Sequence, residues 1–442
     1  MDLGFRGWMY DFGEYTPPDS VSADGSSGLE VHNRYPLLYQ KACFDHLVKT
    51  KDNPNSPYAP DYLFYVRSGY LGTQAVTWAH WTGDPSSDWS ETSGLPAQLT
   101  AMLNVGISGI PFSGSDIGGF EWYTSPPPDE ELWVRWTQLG AFSGYMHEQG
   151  GGKGFGRKPH IFDSINGTRL WRKFAKLRTQ LFPYIYTQAH TANQVGLPIM
   201  RHHILDFDDD NQAISKQYQY MFGDKLLVAP VYKSGVSERE VYLPNNSSWI
   251  DISSHLLYDE EDGRFRIGHS DIQLGGKSLI VAASLETCPF FVRAGSIIPL
   301  LDPSVLVLRE ASHPNVTSLY NKTTLHLWVF PDVFKNADGS DWQNNSFAFR
   351  NSSVQSNLFT YGMNLRSTQY TWIVSQILLS ERPHDLLIEG GVVKSVLSWT
   401  QVIPSGADPI GVWSYDQQQR VLWIGSANTV SNITIAVPYI SL

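Results

Sequence analysis

The spacing of apolar residues changes along this chain, mixing strand-like and helix-like patterns up to about residue 217 and settling to a period of two beyond it. After a loop built on Pro17, Pro18 and Asp19, residues 33–50 carry Leu37, Leu38, Ala42 and Leu47 at helical spacing, and a βα unit is the simple reading. Residues 62–69 read as a short buried strand delivering Arg67 near its C-terminal end, and residues 75–84 as another ending in Asp84. A helix is expected over 95–105, a strand over 109–112, a loop over 113–119 and a helix over 130–142. This repetition of strand, acidic loop and helix predicts a parallel α/β barrel with its active site on the loop face. Leu170, Phe174, Leu177, Leu181 and Tyr184 then predict a long helix on the barrel's outside, kinked at Pro183 and stopped at Gly196. Beyond Tyr218, residues 225–231, 239–244 and 289–299 alternate as the strands of a β-sandwich, and 324–330 and 432–437 continue the pattern into a second β domain. The expected fold class is α/β plus all-β, the later part of a TIM-type (β/α)8 barrel followed by β-sandwich domains, with boundaries at 1–217, 218–300 and 301–442.

The 442 residues leave room for two to four domains at about 150 residues each. Charged residues make up 17% and aromatics 13%, a balance that suits recognition of sugar rings and equally suits a large aromatic core. The net charge of -11 argues against a nucleic-acid or anionic-membrane partner, because phosphate binding needs a basic face. No apolar run reaches the roughly 18 residues of a membrane span. Cys43 and Cys288 allow at most one bridge and offer no metal-binding spacing. Acceptor tripeptides at Asn166, Asn245, Asn246, Asn315, Asn321, Asn344, Asn351 and Asn432 hint at a secretory route, although no signal peptide is read after Met1.

The candidate chemistry is concentrated in residues 4–15, GFRGWMYDFGEY, where aromatics crowd two acids between glycines. Asp11 among Trp8, Tyr10, Phe12 and Tyr15 is a candidate nucleophile in a pocket that stacks a sugar, and equally a structural Asp that caps a helix or holds a turn. Gly83-Asp84-Pro85 taken alone is an ordinary turn, and Arg67 taken alone is a salt-bridge residue of a barrel.

The segment from Trp8 to Tyr15 resembles the nucleophile segment of the family 31 glycoside hydrolases, the α-glucosidase family, and most resembles its sulfoquinovosidase-like branch, whose motif runs W-M-x-D-F-G-E-Y. The similarity extends motif by motif to about Leu300. It implies a retaining α-glycosidase acting on an oligosaccharide or small glycoside, on α-glucosides or related sugars including sulfonated ones, with no metal or organic cofactor. Such enzymes pair two carboxylates about 5 to 5.5 Å apart, one attacking the anomeric carbon and one protonating the leaving oxygen. By resemblance Asp11 is the nucleophile, and Asp84, in His80-Trp81-Thr82-Gly83-Asp84, is the acid/base. Arg67 resembles the arginine that contacts substrate hydroxyls and the nucleophile, and a cation there favours the ionised carboxylate that attack requires. Asp116 resembles the acid that binds outer sugar hydroxyls; Trp8, Trp81, Glu14, Phe120 and His147 complete the expected sugar-binding set, with Glu14 as a neighbour of the catalytic acids or a cap.

The chain departs from the family in three places. The R-x-H after G-A-F is replaced by residues 143–149, leaving His147 as the nearest match; Phe120 stands where the sulfoquinovosidase branch has tyrosine; and Asp11 lies close to Met1, where the family has a β-sandwich and earlier barrel strands. The resemblance therefore implies a truncated form with little activity by itself, since an open barrel leaves unpaired strand edges. A non-catalytic carbohydrate-binding or folding-incompetent fragment is the competing class, and transglycosylation or lyase chemistry is the neighbouring reaction. The glycine-rich residues 150–156 lack the phosphate-loop spacing and read as a mobile loop; Asp206, Asp208 and Asp210 read as a solvated acidic turn without the calcium-loop Gly and Glu; His202 and His203 read as structural imidazoles.

Overall fold

The computed structural model describes residues 7–51, 62–120, 128–149, 163–311, 313–322 and 324–330 and, between 352 and 436, a set of strands and one turn. Its first layer is a parallel sheet of four strands in chain order, β1 (Gly7–Met9), β2 (Leu63–Val66), β3 (Ala79–Trp81) and β4 (Ser113–Gly114). The register pairs Trp8 with Phe64, Tyr65 with Ala79 and His80 with Ser113. Parallel neighbours need a crossover, and α1 (Gly28–Val31) with α2 (Tyr35–Lys51) supplies the first. Ser27 and Glu30 start α1 with a reciprocal capping box. Between β2 and β3 the crossover holds only a 3-10 turn, Thr73–Ala75, so the helix layer has a gap there. A cavity of about 480 Å³ lies beside it, lined by Pro36, His80, Ala101 and Val105 and reaching Glu14 and Arg67.

Helix α3 (Leu95–Ile107) packs Leu95, Leu99, Met102 and Leu103 inward, and its Gly106 lies so close to the chain at Pro198 and Met200 that an added Cβ would come within 3.1 Å of the Met200 carbonyl. Helix α4 (Glu130–Ala141) is capped by the Asp129 side chain and buried on every face from Leu132 onward. That burial reflects a second layer on its far side. Arg135, 1% exposed, donates to the carbonyls of Val236, Ala283, Ser284 and Thr287, and Gln138 donates to Leu285.

Several expected elements differ from the structure for identifiable reasons. The strand expected over 109–112 begins only at Ser113, because Gly109 is left-handed (φ 89) and Pro111 has no N–H to enter a ladder. The strand expected over 75–84 is confined to Ala79–Trp81, which leaves Asp84 on the following loop. The long kinked helix is two helices, α5 (Ile165–Gln180) and α6 (Phe182–Val195), broken at Leu181 where Pro183 opens the second; Gly196 ends it in the left-handed conformation (φ 76). The glycine-rich residues 150–156 lie outside the described residues.

The β region contains a six-stranded sheet that runs from Met200–Arg201 through Tyr220–Phe222, Leu226–Val228, Phe290–Arg293 and Ser248–Asp251 to Ile272–Leu274. The antiparallel pair of Glu238–Leu243 with Lys277–Ala282 packs on it through a core of Met221, Leu227, Val241, Trp249 and Phe291. The run expected as one strand over 289–299 is two, because Gly295 (φ 78) turns the chain and sends Ile297–Leu301 into a different six-stranded sheet. That sheet and a five-stranded one, Ser352–Gln355 among its strands, make the distal β layers. Asp210 corrects the expected solvated turn. It is 3% exposed, caps the short helix Asn211–Ile214 and accepts from Tyr242 and from the Asn245 backbone, while Asp206 pairs with Arg201 at 3.1 Å. His203 is fully buried against Gln219 at 3.0 Å, and desolvation pushes its imidazole down to about 3. Cys43 and Cys288 are both free thiols.

Candidate active site

Successive residues of a strand point to opposite faces, and β1 uses both. Trp8 and Tyr10 point to the helix layer, where Trp8 meets Tyr62 and Phe64 at 6.5 and 6.3 Å and Tyr10 stacks on Tyr39 at 4.1 Å. Met9 points the other way and lies 4.0 Å from Gln149. Trp8, expected at the sugar, is therefore not brought to the acids. Just beyond the strand, Asp11 accepts the Phe12 N–H at 2.7 Å. Phe12 (φ 68) and Gly13 (φ 103) are both left-handed, which folds the chain back so that Glu14 comes beside Asp11. The turn is bolted to β2: Ser68 donates to the Phe12 carbonyl at 2.7 Å, and Gln40 of α2 donates to the Ser68 carbonyl at 2.8 Å.

Arg67 leaves the end of β2 with its side chain 9% exposed and meets three carboxylates. Its Nε lies 2.7 Å from Glu14 and 3.2 Å from Asp11, and a terminal nitrogen lies 3.1 Å from Asp84. One planar guanidinium thus touches both candidate catalytic acids, which bounds their bonded oxygens at about 9 Å apart or closer. Gly83 is left-handed (φ 81) and turns Asp84 back towards Arg67. Burial raises the Asp84 carboxyl above the ordinary aspartate range, the charges of Asp116 and Asp11 push the same way, and Arg67 opposes them.

Asp116, on the loop after β4, is wholly buried and accepts from or shares a proton with His147 Nε2 at 2.6 Å. The two residues also pair as a parallel bridge. Tyr145 stacks on His147 at 5.1 Å, and Tyr65 reaches Tyr145, His147 and Trp81 at 5.3, 5.9 and 5.4 Å. Trp81, expected at the sugar, is 1% exposed and stands edge-on to Tyr65. Phe120 is half-buried, and its N–H donates to the Pro85 carbonyl at 2.8 Å, tying the Asp116 loop to the Asp84 loop. Asp11, Glu14, Arg67 and Asp84 are thus brought together around one cation, with Asp116 and His147 linked to them through Tyr65, whose hydroxyl is raised by burial and then by Asp116 and Asp11. Tyr65, Tyr145 and Ser68 were not singled out from sequence. Tyr65 has a readable signal, since it shares its strand parity with Arg67. Ser68 and Tyr145 have none.

Residues 1–188 match the Glycosyl hydrolases family 31 TIM-barrel domain, and residues 196–298 match the Glycosyl hydrolase family 31 C-terminal domain. The chain belongs to glycoside hydrolase family 31. Among its relatives, an Arabidopsis thaliana protein named "Probable glucan 1,3-alpha-glucosidase" is 34% identical over 65% of this chain and 28% of its own length. The Agrobacterium fabrum sulfoquinovosidase is 31% identical over 67% of this chain and 41% of its own length. An isomaltosyltransferase of Sporosarcina globispora is 27% identical over 98% of this chain and 37% of its own length. The chain thus spans well under half of each of these family 31 relatives. The family 31 dextranase of Flavobacterium johnsoniae, solved with isomaltotriose, superposes with a TM-score of 0.76 over 98% of this chain and 53% of its own, at 24% identity, and so shares the fold. The parallel sheet is therefore part of a TIM-type barrel, followed by β-sandwich layers. Among the described residues no helix is long and apolar enough to cross a membrane.

Proposed function

We propose that this chain carries the catalytic centre of a retaining α-glycosidase that cleaves α-glucosides or closely related sugars. The observation that carries the reading is the sharing of the Arg67 guanidinium between Asp11 and Asp84, with Asp84 raised by burial and by neighbouring acids. Asp11 attacks the anomeric carbon while the bond to the leaving oxygen breaks and Asp84 gives that oxygen its proton. Asp84, now a carboxylate, takes a proton from water as the water attacks the same carbon and releases Asp11, so configuration is retained. Arg67 positions both acids, and His147, held by the buried Asp116, offers a polar group to sugar hydroxyls. An ordinary glucoside fits better than a sulfonated one, because the position after the double glycine is Phe120 and offers no hydroxyl.

Asp11→Asn should lower turnover of aryl α-glucosides by on the order of 10⁴-fold or more, since no glycosyl-enzyme forms. Asp84→Ala should spare substrates with good leaving groups far more than natural disaccharides, and azide should accelerate this variant and yield the α-glycosyl azide. Equal losses on all substrates, with no azide product, would overturn the assignment of Asp84.

A second reading is transfer of the glycosyl group to another sugar instead of to water. It is favoured by the match to the isomaltosyltransferase, which extends over nearly the whole chain and so includes the distal β layers. Product analysis with an aryl α-glucoside and excess maltose separates the two: oligosaccharide products mark transfer, and glucose alone marks hydrolysis.

A further inference from the structure

Phe12 and Tyr15 are 56% and 69% exposed at the mouth of the site, although both are large aromatics beside the acids. Their ring centroids are 5.9 Å apart and tilted by 55°, a contacting aromatic pair exposed to solvent. Both lie over the outer face of Arg67, whose guanidinium carbon is 4.7 Å from the Phe12 ring and 5.6 Å from the Tyr15 ring. Phe12 has a left-handed backbone (φ 68), a conformation a bulky residue adopts only when its surroundings enforce it. Hydrogen bonds from Ser68 to its carbonyl and from its N–H to Asp11 enforce it here. The strained turn therefore holds an aromatic ring out into solvent next to the reacting groups.

The Arg67 Nε faces Asp11 and Glu14, one terminal nitrogen faces Asp84 at 3.1 Å and the other faces the Tyr15 hydroxyl at 3.4 Å. The two exposed rings thus border the acids on their solvent side, the side towards which a leaving group departs. We propose that Phe12 and Tyr15 form the platform that holds the leaving-group sugar of an α-linked disaccharide, or the acceptor sugar when transfer occurs. The assignment rests on the glycosidase reading above and names which part of the substrate the two rings select. The C–H face of a pyranose is apolar and covers an aromatic ring, while its rim hydroxyls meet the Tyr15 hydroxyl and solvent. The competing role is a cover that only shields Arg67 through its cation–π contacts.

Titration calorimetry with a sulfur-linked α-glucosyl-glucose, which is not cleaved, and with methyl 1-thio-α-glucoside, which has one ring only, separates the two roles. The full chain should bind the two-ring ligand more tightly. Phe12→Ala and Tyr15→Ala should each weaken the two-ring ligand roughly two- to tenfold and leave the one-ring ligand unchanged, and Tyr15→Phe should keep most of the preference. Equal weakening of both ligands would show that the rings serve Arg67 alone, and would overturn the proposal. So would a wild-type chain that does not distinguish the ligands, or variants that bind both as wild type does. Turnover of α-glucosyl fluoride by the wild-type chain tests the glycosidase reading separately, because that substrate has no leaving-group sugar to hold.

Discussion

Arg67 gathers three acids, and the balance of charge around it sets the protonation of Asp84. Burial raises that carboxyl first, Asp116 and Asp11 raise it further, and Arg67 lowers it. A general acid must be protonated to act, so kcat/KM for a poor leaving group should fall as pH rises through the raised Asp84 value. Asp116→Asn removes one raising charge, and the alkaline limb should move to lower pH. A pH profile of kcat/KM on an alkyl α-glucoside checks this, and a limb that stays in place would mean that Asp84 is not the acid. His80 lines the same cavity as Arg67 and Glu14 but is a poor base, because burial pushes its imidazole down to about 4.

At the level of elements, the turn after β1 carries the site because it is clamped by β2 and α2. Gly13 is the residue that permits it. Its φ of 103 is unfavourable for any side chain, and a Cβ there would lie 3.1 Å from Ser68 Oγ and 3.2 Å from the Tyr39 ring. Gly25 is equally left-handed (φ 87), but a Cβ there would meet nothing. Gly13→Ala should therefore cost about 1–3 kcal/mol of stability and sharply lower activity, whereas Gly25→Ala should cost less and leave activity intact. Thermal denaturation and turnover of the two variants side by side test whether crowding adds to backbone strain. The break between α5 and α6 has the same kind of origin: Pro183 cannot donate to the preceding turn, so the helix ends and a new one starts.

For the whole molecule, the junction between barrel and sandwich is polar at its centre. Arg135 is buried in α4 and satisfies four carbonyls from two loops of the sandwich. Arg135→Ala strands those carbonyls in a closed interface and should cost about 2–4 kcal/mol. The expected signature in calorimetry is an earlier unfolding event split from the sandwich transition; a single cooperative transition at an unchanged temperature would show that the two layers are coupled by other contacts. Cys288 is buried in the same junction, and desolvation pushes its thiol up to about 12, which makes it a packing residue.

The sequence by itself determined the local elements and the order of the chemistry. The sequence located α2, α3 and α4 to within a few residues, but not which faces they bury: Leu38 of α2 is exposed, and α4 is buried all round from Leu132. Arg67 and Asp84 were legible as partners of the segment from Trp8 to Tyr15 through the resemblance of their motifs to the family's; taken alone, Gly83-Asp84-Pro85 is an ordinary turn. Tertiary structure decided everything that depends on a distant partner. Only the register of β1 against β2 turns Trp8 to the helices and Asp11 to the interior, and only the meeting of residues 53 apart puts Glu14 on Arg67. Asp210 looked solvated until Tyr242 and Asn245 closed over it, and the run at 289–299 looked like one strand until Gly295 divided it between two sheets. The physical reason is common to these cases: a spacing pattern reports which face of an element is apolar, while a side chain's charge, strain and exposure are set by what the rest of the fold brings against it.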